Sequence, residues 1–288
     1  MPREVLELLA PAAGQIVVDA TVGGGGHARL IAERLGPTGR LIGLDQDAAM
    51  LELVRPVLNG LPVTIVHANF DQLRQVLDAQ QIPAVDSVLA DLGFSSDQLA
   101  NPKRGLSFQQ PGPLDMRLDP AQGEPASALL HRLNERDLAD LIYQFGEERF
   151  SRRIARRIVE ARRTSRFETT EQLADLIRSC VPRSRGHAID PATRTFQALR
   201  IAVNDELGAL DRLLAALPRC VKPGGRAVII SFHSLEDRRV KQAFRVKMMW
   251  EALTRKPIQA SDEERCDNPR ARSAKLRAAI LLPAREGD

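Results

Sequence analysis

A glycine-rich turn between an apolar run and a helical pattern places the strongest constraint on the fold of this chain. Residues 19–27 have the sequence DATVGGGGH, follow the apolar residues 16–18 and precede a helical pattern. A turn with few side chains lets backbone amides and a helix N-terminus approach a ligand closely. Gly23 to Ala28 also fits a loose dinucleotide fingerprint, which has a high false-positive rate. Asp45 ends the next apolar run, about 20 residues on, where a ribose-binding carboxylate is expected. The sequence therefore predicts a site for a nucleoside-bearing cofactor.

The first third of the chain alternates between strand and helix signals. Apolar runs typical of buried strands cover residues 16–19, 41–45, 63–67 and 85–91. Helical patterns separate them at residues 28–35, 48–58 and 71–80. This alternation is typical of a parallel sheet covered by helices. Ligands of such sheets bind beyond the carboxyl ends of the strands, where Asp19, Asp45 and Asp91 lie.

The alternation stops near Asn101 and returns in the last third. Residues 101–125 are rich in Pro and Gly and indicate an ordered irregular loop or a domain boundary. Helical patterns follow at residues 127–133, 135–145, 147–162 and 170–180. Later patterns predict a long helix at 193–217, a strand at 226–232, a helix at 240–253 and a strand at 276–282. We predict an α/β domain formed by residues 1–104 and 191–288, with an all-helical insertion at 105–190.

Composition narrows the class of protein. A chain of 288 residues with 43% hydrophobic content can bury a sizeable core. No apolar run approaches the roughly 20 residues that span a bilayer, and the N-terminus does not have the pattern of a secretory signal. The three cysteines are far apart and have no metal-ligand spacing. We expect a cytoplasmic protein without disulfides, a metal site or a membrane partner.

Several polar or aromatic residues at strand ends are further candidates, each with a plainer alternative. Asp45 could simply cap the next helix. His27 could face a ligand at the helix N-terminus or only cover the first helical turn. Phe70 could stack on a purine or belong to the core. Asp91 ends one strand and His233 directly follows another, so two polar strand ends are expected to converge on one cleft. The plainer alternatives are a polar loop that caps a helix for Asp91 and a surface histidine for His233.

Arginine is concentrated in residues 149–166, although the net charge of the chain is only +4. At about 100° per residue, Arg152, Arg153, Arg156 and Arg157 share one arc of a helix, and apolar residues occupy another side. A solvated face paired with local glutamates is the plainer interpretation. Because arginine outnumbers acid locally, an anionic partner such as RNA phosphate is favoured.

The motifs together closely resemble the MraW (RsmH) family, ribosomal RNA small-subunit methyltransferases that act on cytosine N4. The resemblance covers nearly the whole sequence. It is carried by DATVGGGGH (19–27), DLGFSS (91–96), GPLDMR (112–117), GEERFSRRIA (146–155), PATRTFQALRIAVN (191–204), SFHSLED (231–237) and NPRARSAK (268–275). Relatives also carry a His-x-Pro-Val-Leu segment before the part that matches residues 4–9. This chain begins at Met1-Pro2, so either that segment lies upstream or its contact is lost.

The resemblance implies a class I methyltransferase fold, Rossmann-like with a mostly parallel seven-stranded sheet. It implies S-adenosylmethionine as methyl donor and S-adenosylhomocysteine as product. The residues expected to bind this cofactor are Gly25, Gly26, His27, Asp45, Phe70, Asp91 and Gln98. The expected substrate is a cytidine of the decoding centre in 16S rRNA, methylated within the small ribosomal subunit late in its maturation. We expect Arg152, Arg153, Arg156, Arg157 and Arg194 to contact the RNA, and a homodimer is possible.

The expected chemistry is in-line transfer of a methyl group to a poorly nucleophilic amine. Asp91 is the first candidate for orienting the N4 amine, and His233 is a second candidate for contacting the base. The target base must leave its stack to enter the pocket. Two other functions stay open at this point. The glycine turn with Asp45 would also suit an NAD-dependent oxidoreductase, and an RNA-binding assembly factor without catalysis would keep the same basic surface.

Overall fold

The computed structural model describes residues 1–181 and 190–284. The first part of the chain forms α1 (Pro2–Leu9), β1 (Ile16–Asp19), α2 (Gly26–Leu35), β2 (Arg40–Asp45), α3 (Ala48–Val57), β3 (Val63–His67), α4 (Leu73–Ala79) and β4 (Val85–Asp91). The middle part forms α5 (Ser96–Ala100), α6 (Ala126–Arg132), α7 (Glu135–Gly146), α8 (Ser151–Ala161), α9 (Thr170–Cys180) and α10 (Ala192–Val203). The last part forms α11 (Glu206–Cys220), β5 (Val221–Ser231), α12 (Ser234–Ala243), β6 (Trp250–Ala252), α13 (Asp262–Asp267) and β7 (Lys275–Leu281).

The chain divides into two compact units. A sheet unit consists of Met1–Gly93 with Leu207–Asp288, and a helical unit consists of Phe94–Glu206. The helical unit is thus longer than the insertion predicted at 105–190, because flanking residues pack with it. Arg104 donates a hydrogen bond from Nη1 to the carbonyl of Leu118 at 3.1 Å, and Phe196 lies in the helical core.

The sheet unit contains one seven-stranded sheet in the order β3-β2-β1-β4-β5-β7-β6. Neighbouring strands from β3 to β5 are parallel, and β7 runs antiparallel to both β5 and β6. This arrangement confirms the mostly parallel sheet and the class I methyltransferase fold expected from the sequence. The carboxyl ends of β1, β2 and β4 lie at one edge, and they end in Asp19, Asp45 and Asp91.

Both faces of the sheet are buried, which explains why its strands are nearly continuous apolar runs. Successive residues of a strand point to opposite faces. Val17 belongs to the core cluster that includes Ile31 of α2, whereas Val18 belongs to the cluster that includes Leu213 of α11. Helices therefore cover both faces of the sheet, and a site can form at the ends of the strands.

The helical unit has its own hydrophobic core, formed by one face of each of several helices. Leu130, Ile142, Ile154, Leu173 and Phe196 contribute to it from α6, α7, α8, α9 and α10. Polar residues fix where the helices begin. The side chain of Asn134 accepts a hydrogen bond from the amide of Asp137 at the start of α7, and Thr169 forms a capping box with Gln172 at the start of α9.

The predicted long helix at 193–217 is wrong, because the chain turns between α10 and α11. Asp205 has a left-handed backbone, with φ at 47°. The Asn204 side chain accepts a hydrogen bond from the Leu118 amide at 2.7 Å and donates one to the Met116 carbonyl at 2.8 Å. These tertiary contacts hold the Asn204 side chain at the point where α10 ends.

The predicted helix at 240–253 is also wrong. The helix α12 ends at Ala243, and Trp250–Ala252 forms β6 at the end of the sheet. Trp250 pairs with Leu281 of β7, so a partner distant in sequence determines this strand. No helix within residues 1–181 and 190–284 is long and apolar enough to cross a membrane.

Candidate functional site

The glycine turn after β1 has a shape that a larger residue at Gly25 would disrupt. Gly25 immediately precedes α2 and has φ at 82°. A Cβ atom there would lie 2.5 Å from Cγ2 of Val54 on α3. By contrast, a Cβ atom on Gly26 would meet nothing within 4 Å among the described residues. The turn thus packs tightly on one side and leaves space on the other, at the N-terminus of α2.

The carboxylate of Asp45 joins the end of β2 to the glycine turn. Its Oδ2 accepts a hydrogen bond from the Gly23 amide at 2.9 Å, and its Oδ1 accepts one from the Asp47 amide at 2.9 Å. Burial raises the pKa of Asp45, although these two amides act in the opposite direction. Because each carboxylate oxygen can accept more than one hydrogen bond, Asp45 can hold the turn and still accept from a ligand.

Asp91 lies beside the same turn, at the end of β4. Its amide donates to Oγ1 of Thr21 at 2.6 Å, and its Oδ2 lies 3.6 Å from Nε2 of His27. Oδ1 is buried and has no hydrogen-bond partner among the described residues. Burial raises the pKa of Asp91 to about 7. A buried acceptor that lacks a donor is a feature that needs an explanation, and a ligand is one.

His27 is neutral at physiological pH. Its side chain is 17% exposed, and burial lowers its pKa from 6.5 to about 4. The contact between His27 and Asp91 is therefore not a strong ion pair. A neutral imidazole has one donor and one acceptor nitrogen, so His27 can bind a polar ligand group without adding positive charge.

Asp19 lies at the ligand-binding edge that the sequence predicts, but it was not among the residues expected to bind the cofactor. It is 1% exposed, and its Oδ1 accepts from the Thr21 amide at 3.2 Å. Its Oδ2 is buried without a hydrogen-bond partner in the described residues. Burial is the main cause that raises the pKa of Asp19 to about 7, with smaller contributions from the nearby carboxylates of Asp91 and Asp45. Its position at a strand end was the available signal, but burial could not be read from the sequence.

His233 lies at the same edge of the sheet, two residues after β5, and it precedes α12. The residue paired with Asp91 across the sheet is Ile230. Nε2 of His233 lies 3.2 Å from Oε1 of Glu236, a buried carboxylate. Oε2 of Glu236 accepts from the Phe232 amide at 2.8 Å. Glu236 therefore lies beside His233, but neither ring nitrogen of His233 has a hydrogen-bond partner among the described residues. Sequence reasoning did not single out Glu236.

Phe70 and Gln98 occupy different settings. Phe70 follows β3 in the short 3₁₀ helix Phe70–Gln72 and is half-buried against the core of the sheet unit. Gln98 belongs to the helical unit, where its Oε1 accepts from the Ser95 amide at 2.8 Å and caps α5. A cofactor contact of either residue stays a prediction.

The arginine-rich segment forms α8, which starts at Ser151 rather than at the predicted residue 147. Glu147 has a left-handed backbone that ends α7. Ile154 and Ile158 are fully buried. Arg152, Arg153, Arg156 and Arg157 are all exposed on the opposite side.

Acidic neighbours balance only part of this charge. Arg157 pairs with Glu160 at 3.1 Å, and Arg156 reaches Glu135 at 3.5 Å. Arg194 is exposed on α10, and its Nη1 lies 3.4 Å from the Glu147 carbonyl. The surface that these arginines form is basic, as expected, and its RNA contacts stay a prediction.

Comparison with known proteins gives the chain clear relatives. Residues 1–281 match a family model described as the MraW methylase family. The Ribosomal RNA small subunit methyltransferase H of Sorangium cellulosum (strain So ce56) is 52% identical over 279 residues, covering 96% of this chain and 88% of that protein. The protein with the same name from Synechococcus sp. (strain CC9311) is 54% identical over 280 residues, covering 94% and 87%. Among solved structures, an rRNA methylase from Streptococcus thermophilus has a TM-score of 0.46 at 10% identity, covering 98% of this chain and 94% of that one.

Proposed function

Because the chain belongs to the MraW methylase family, we propose that it transfers a methyl group from S-adenosylmethionine to N4 of a cytidine in the decoding centre of 16S rRNA. The transfer takes place within the small ribosomal subunit, late in its maturation. Its relatives are small-subunit rRNA methyltransferases by name, and the chain is an S-adenosylmethionine-dependent rRNA methyltransferase. Family membership decides against the oxidoreductase alternative. The observation that carries the proposal is the convergence of the glycine turn, Asp45 and Asp91 on one edge of the sheet.

The residues at this edge suit an adenosyl cofactor. S-adenosylmethionine, when bound, supplies an electrophilic methyl group on a positively charged sulfur. The space beside Gly26 leaves room for its methionine and ribose parts next to His27. Asp45, already fixed by two amides, accepts hydrogen bonds from the ribose hydroxyls. Phe70, half-buried after β3, packs against the adenine.

We assign Asp91 the role of orienting the N4 amine of the target cytidine. The N4 lone pair of cytosine is delocalised into the ring, so an acceptor for an N–H of the amine helps to direct that lone pair toward the methyl group. The unpartnered Oδ1 of Asp91 is such an acceptor. It accepts best when ionised, and a positive charge bound nearby lowers the raised pKa of Asp91. Positioning and fixed dipoles then supply most of the rate.

His233 contacts the base beside this acceptor. Its imidazole is nearly buried beside Glu236, and both ring nitrogens lack a hydrogen-bond partner among the described residues. Such an imidazole can hydrogen-bond a pyrimidine edge, and we therefore assign His233 a positioning role for the extruded base.

The basic face of the helical unit binds the rRNA backbone in this proposal. Arg152 and Arg153 have no acidic partner among the described residues, so their charge is available for phosphate. Reversing both charges should weaken binding of small subunits and leave cofactor affinity unchanged. A matched control reverses Arg3 and Arg34, two exposed arginines of the sheet unit. Equal affinity of the two variants for small subunits at physiological salt would contradict the assignment.

The decisive experiment measures the modified nucleoside. Small subunits that lack the modification are incubated with the protein and S-adenosylmethionine, and the rRNA nucleosides are analysed by mass spectrometry. We expect N4-methylcytidine at a single decoding-centre position. An Asp45→Ala variant, with weakened cofactor binding, is the negative control. Methylation at another base atom would refute the proposed specificity, and subunit binding without methyl transfer would favour an assembly factor.

A further inference from the structure

A small basic cavity lies among α12, β6 and β7 of the sheet unit. Its volume is about 220 Å³, and four cationic side chains line it: Lys241, Arg245, Arg255 and Arg277. Phe244 and Thr254 complete most of the wall, and no acidic residue of the described chain lines the cavity. Asp237 pairs with Arg277, whereas Lys241, Arg245 and Arg255 bring three uncompensated positive charges to this small space, which favours an anion there.

Arg277 gives the cavity a fixed donor. It lies on β7, and its side chain is 7% exposed. Asp237 accepts from its Nε at 2.7 Å and from its Nη2 at 3.2 Å. No acceptor in the described residues reaches its Nη1. The bidentate pair with Asp237 therefore orients the guanidinium and leaves one of its nitrogens available for a ligand.

The three other cations have no acidic partner. No ion pair or hydrogen bond joins the side chains of Lys241, Arg245 or Arg255 to any described residue. Lys241 and Arg245 lie at the end of α12, where cations commonly stabilise the helix C-terminus. That role explains those two residues. It does not explain why Arg255 after β6 and the buried Arg277 on β7 line the same cavity.

The size of the cavity limits its occupant. It is smaller than the roughly 300–1,000 Å³ pockets that hold drug-sized ligands. A complete adenosyl cofactor is too large for it, whereas one phosphate group with part of its sugar is not. Arginine forks match the geometry of phosphate oxygens. We propose that this cavity binds a single phosphate of the RNA backbone, as a second anchoring point for rRNA on the sheet unit.

This inference rests on rRNA as the substrate, and its test separates the two proposals. The test variant is Arg245→Gln with Arg255→Gln. The control variant is Lys247→Gln with Lys256→Gln, which removes the same charge from exposed lysines that do not line the cavity. Affinity for protein-free 16S rRNA is measured from about 50 to 200 mM salt. Calorimetry with S-adenosylmethionine and thermal unfolding show whether both variants stay folded.

Loss of one phosphate contact has a characteristic salt signature. The slope of log affinity against log salt should become shallower by about 0.7, the value for one phosphate of a single strand. The ratio of the RNA affinities of wild type and the cavity variant should thus fall about 2.6-fold from 50 to 200 mM salt. The control should keep a slope closer to that of wild type.

Three results would overturn the inference. If the RNA affinity and its salt slope change equally in the cavity variant and the control variant, the effect is a general one of charge. Unchanged RNA binding in the cavity variant would exclude the contact. Binding of inorganic phosphate or pyrophosphate that depends on Arg245 and Arg255, with no loss of RNA affinity, would show that the cavity takes a free phosphate compound. If the predicted salt signature appears but N4-methylcytidine does not, the proposed function fails and this inference stands.

Discussion

Replacing Asp19 by Asn removes a buried titratable group with little change in shape. Asp19 is 1% exposed, and burial raises its pKa from 3.8 to about 7. Between these two pH values the folded protein holds a proton that the unfolded chain has released. Wild-type stability therefore falls as the pH rises through this window. An Asn side chain has no proton to lose there, so we expect the variant to become more stable relative to wild type at higher pH.

The magnitude follows from the part of the window that the experiment covers. In the range from pH 5 to pH 8, about two pH units lie below the pKa of Asp19 in the folded protein. Over these two units the free energy of unfolding of wild type falls by about 3 kcal/mol. The Asn amide also places a donor where Oδ2 of Asp19 has no partner, at a cost of about 1–3 kcal/mol. That cost is the same at both pH values. The change in relative stability between them is therefore the quantity to compare.

Trp250 makes the measurement specific for the sheet unit. It is the only tryptophan of the chain, it is 4% exposed, and it lies on β6 of the same sheet whose strand β1 ends at Asp19. Urea unfolding is followed by its fluorescence at pH 5 and pH 8. The control is Asp262→Asn, because the Asp262 side chain is 99% exposed. Asp19→Asn should gain about 3 kcal/mol relative to wild type between the two pH values. If the stability difference between Asp19→Asn and wild type is the same at pH 5 and at pH 8, Asp19 titrates like an exposed carboxyl.

Two further outcomes separate structural from chemical roles at the same edge. Gly25→Ala should lose about 2–4 kcal/mol of stability, because alanine is strained in a left-handed backbone and its Cβ would clash with Val54. Gly26→Ala should unfold like wild type but bind S-adenosylmethionine more than tenfold more weakly in calorimetry. Single-turnover methyl transfer should rise with pH as Asp91 ionises, with a midpoint below the value of about 7 in the free protein because the bound sulfonium lowers this pKa. In Asp91→Asn it should be slower by about 100-fold or more without that rise; a retained pH rise would assign the titration to another group.

Local patterns predicted the fold where the local and the tertiary preferences agree. The apolar runs of β1 to β4 were recognisable because both faces of the sheet are buried. The break between α10 and α11 was not, since it depends on hydrogen bonds from Asn204 to residues far away in the sequence. The strand β6 was missed for a related reason. Its three residues pair with β7, about 30 residues later, and nothing local distinguishes them from a helical pattern.

In the candidate site, too, some of the geometry follows from local spacing and some depends on tertiary contacts. The turn at residues 23–26 and Asp45 could be predicted because their spacing reflects a strand, a turn and a second strand. Asp19 has the same sequence signal as Asp45, yet the two differ in the structure. Both oxygens of Asp45 accept backbone amides, whereas only one oxygen of Asp19 does. Such a difference in hydrogen bonding depends on how loops from several strands meet, and so it was not visible in the sequence.

The two acids with a raised pKa suggest how this edge distinguishes the methyl donor from its product. Asp19 and Asp91 each have an unpartnered buried oxygen, and ionising either is unfavourable in the free protein. A sulfonium cation offsets that cost, but the neutral sulfur of S-adenosylhomocysteine does not. Above pH 7 the donor should therefore gain affinity over the product. The ratio of the two dissociation constants, measured by calorimetry at pH 6 and pH 8, should change in the wild type and change less in Asp19→Asn. A ratio independent of pH would mean that these carboxyls do not sense the sulfonium charge.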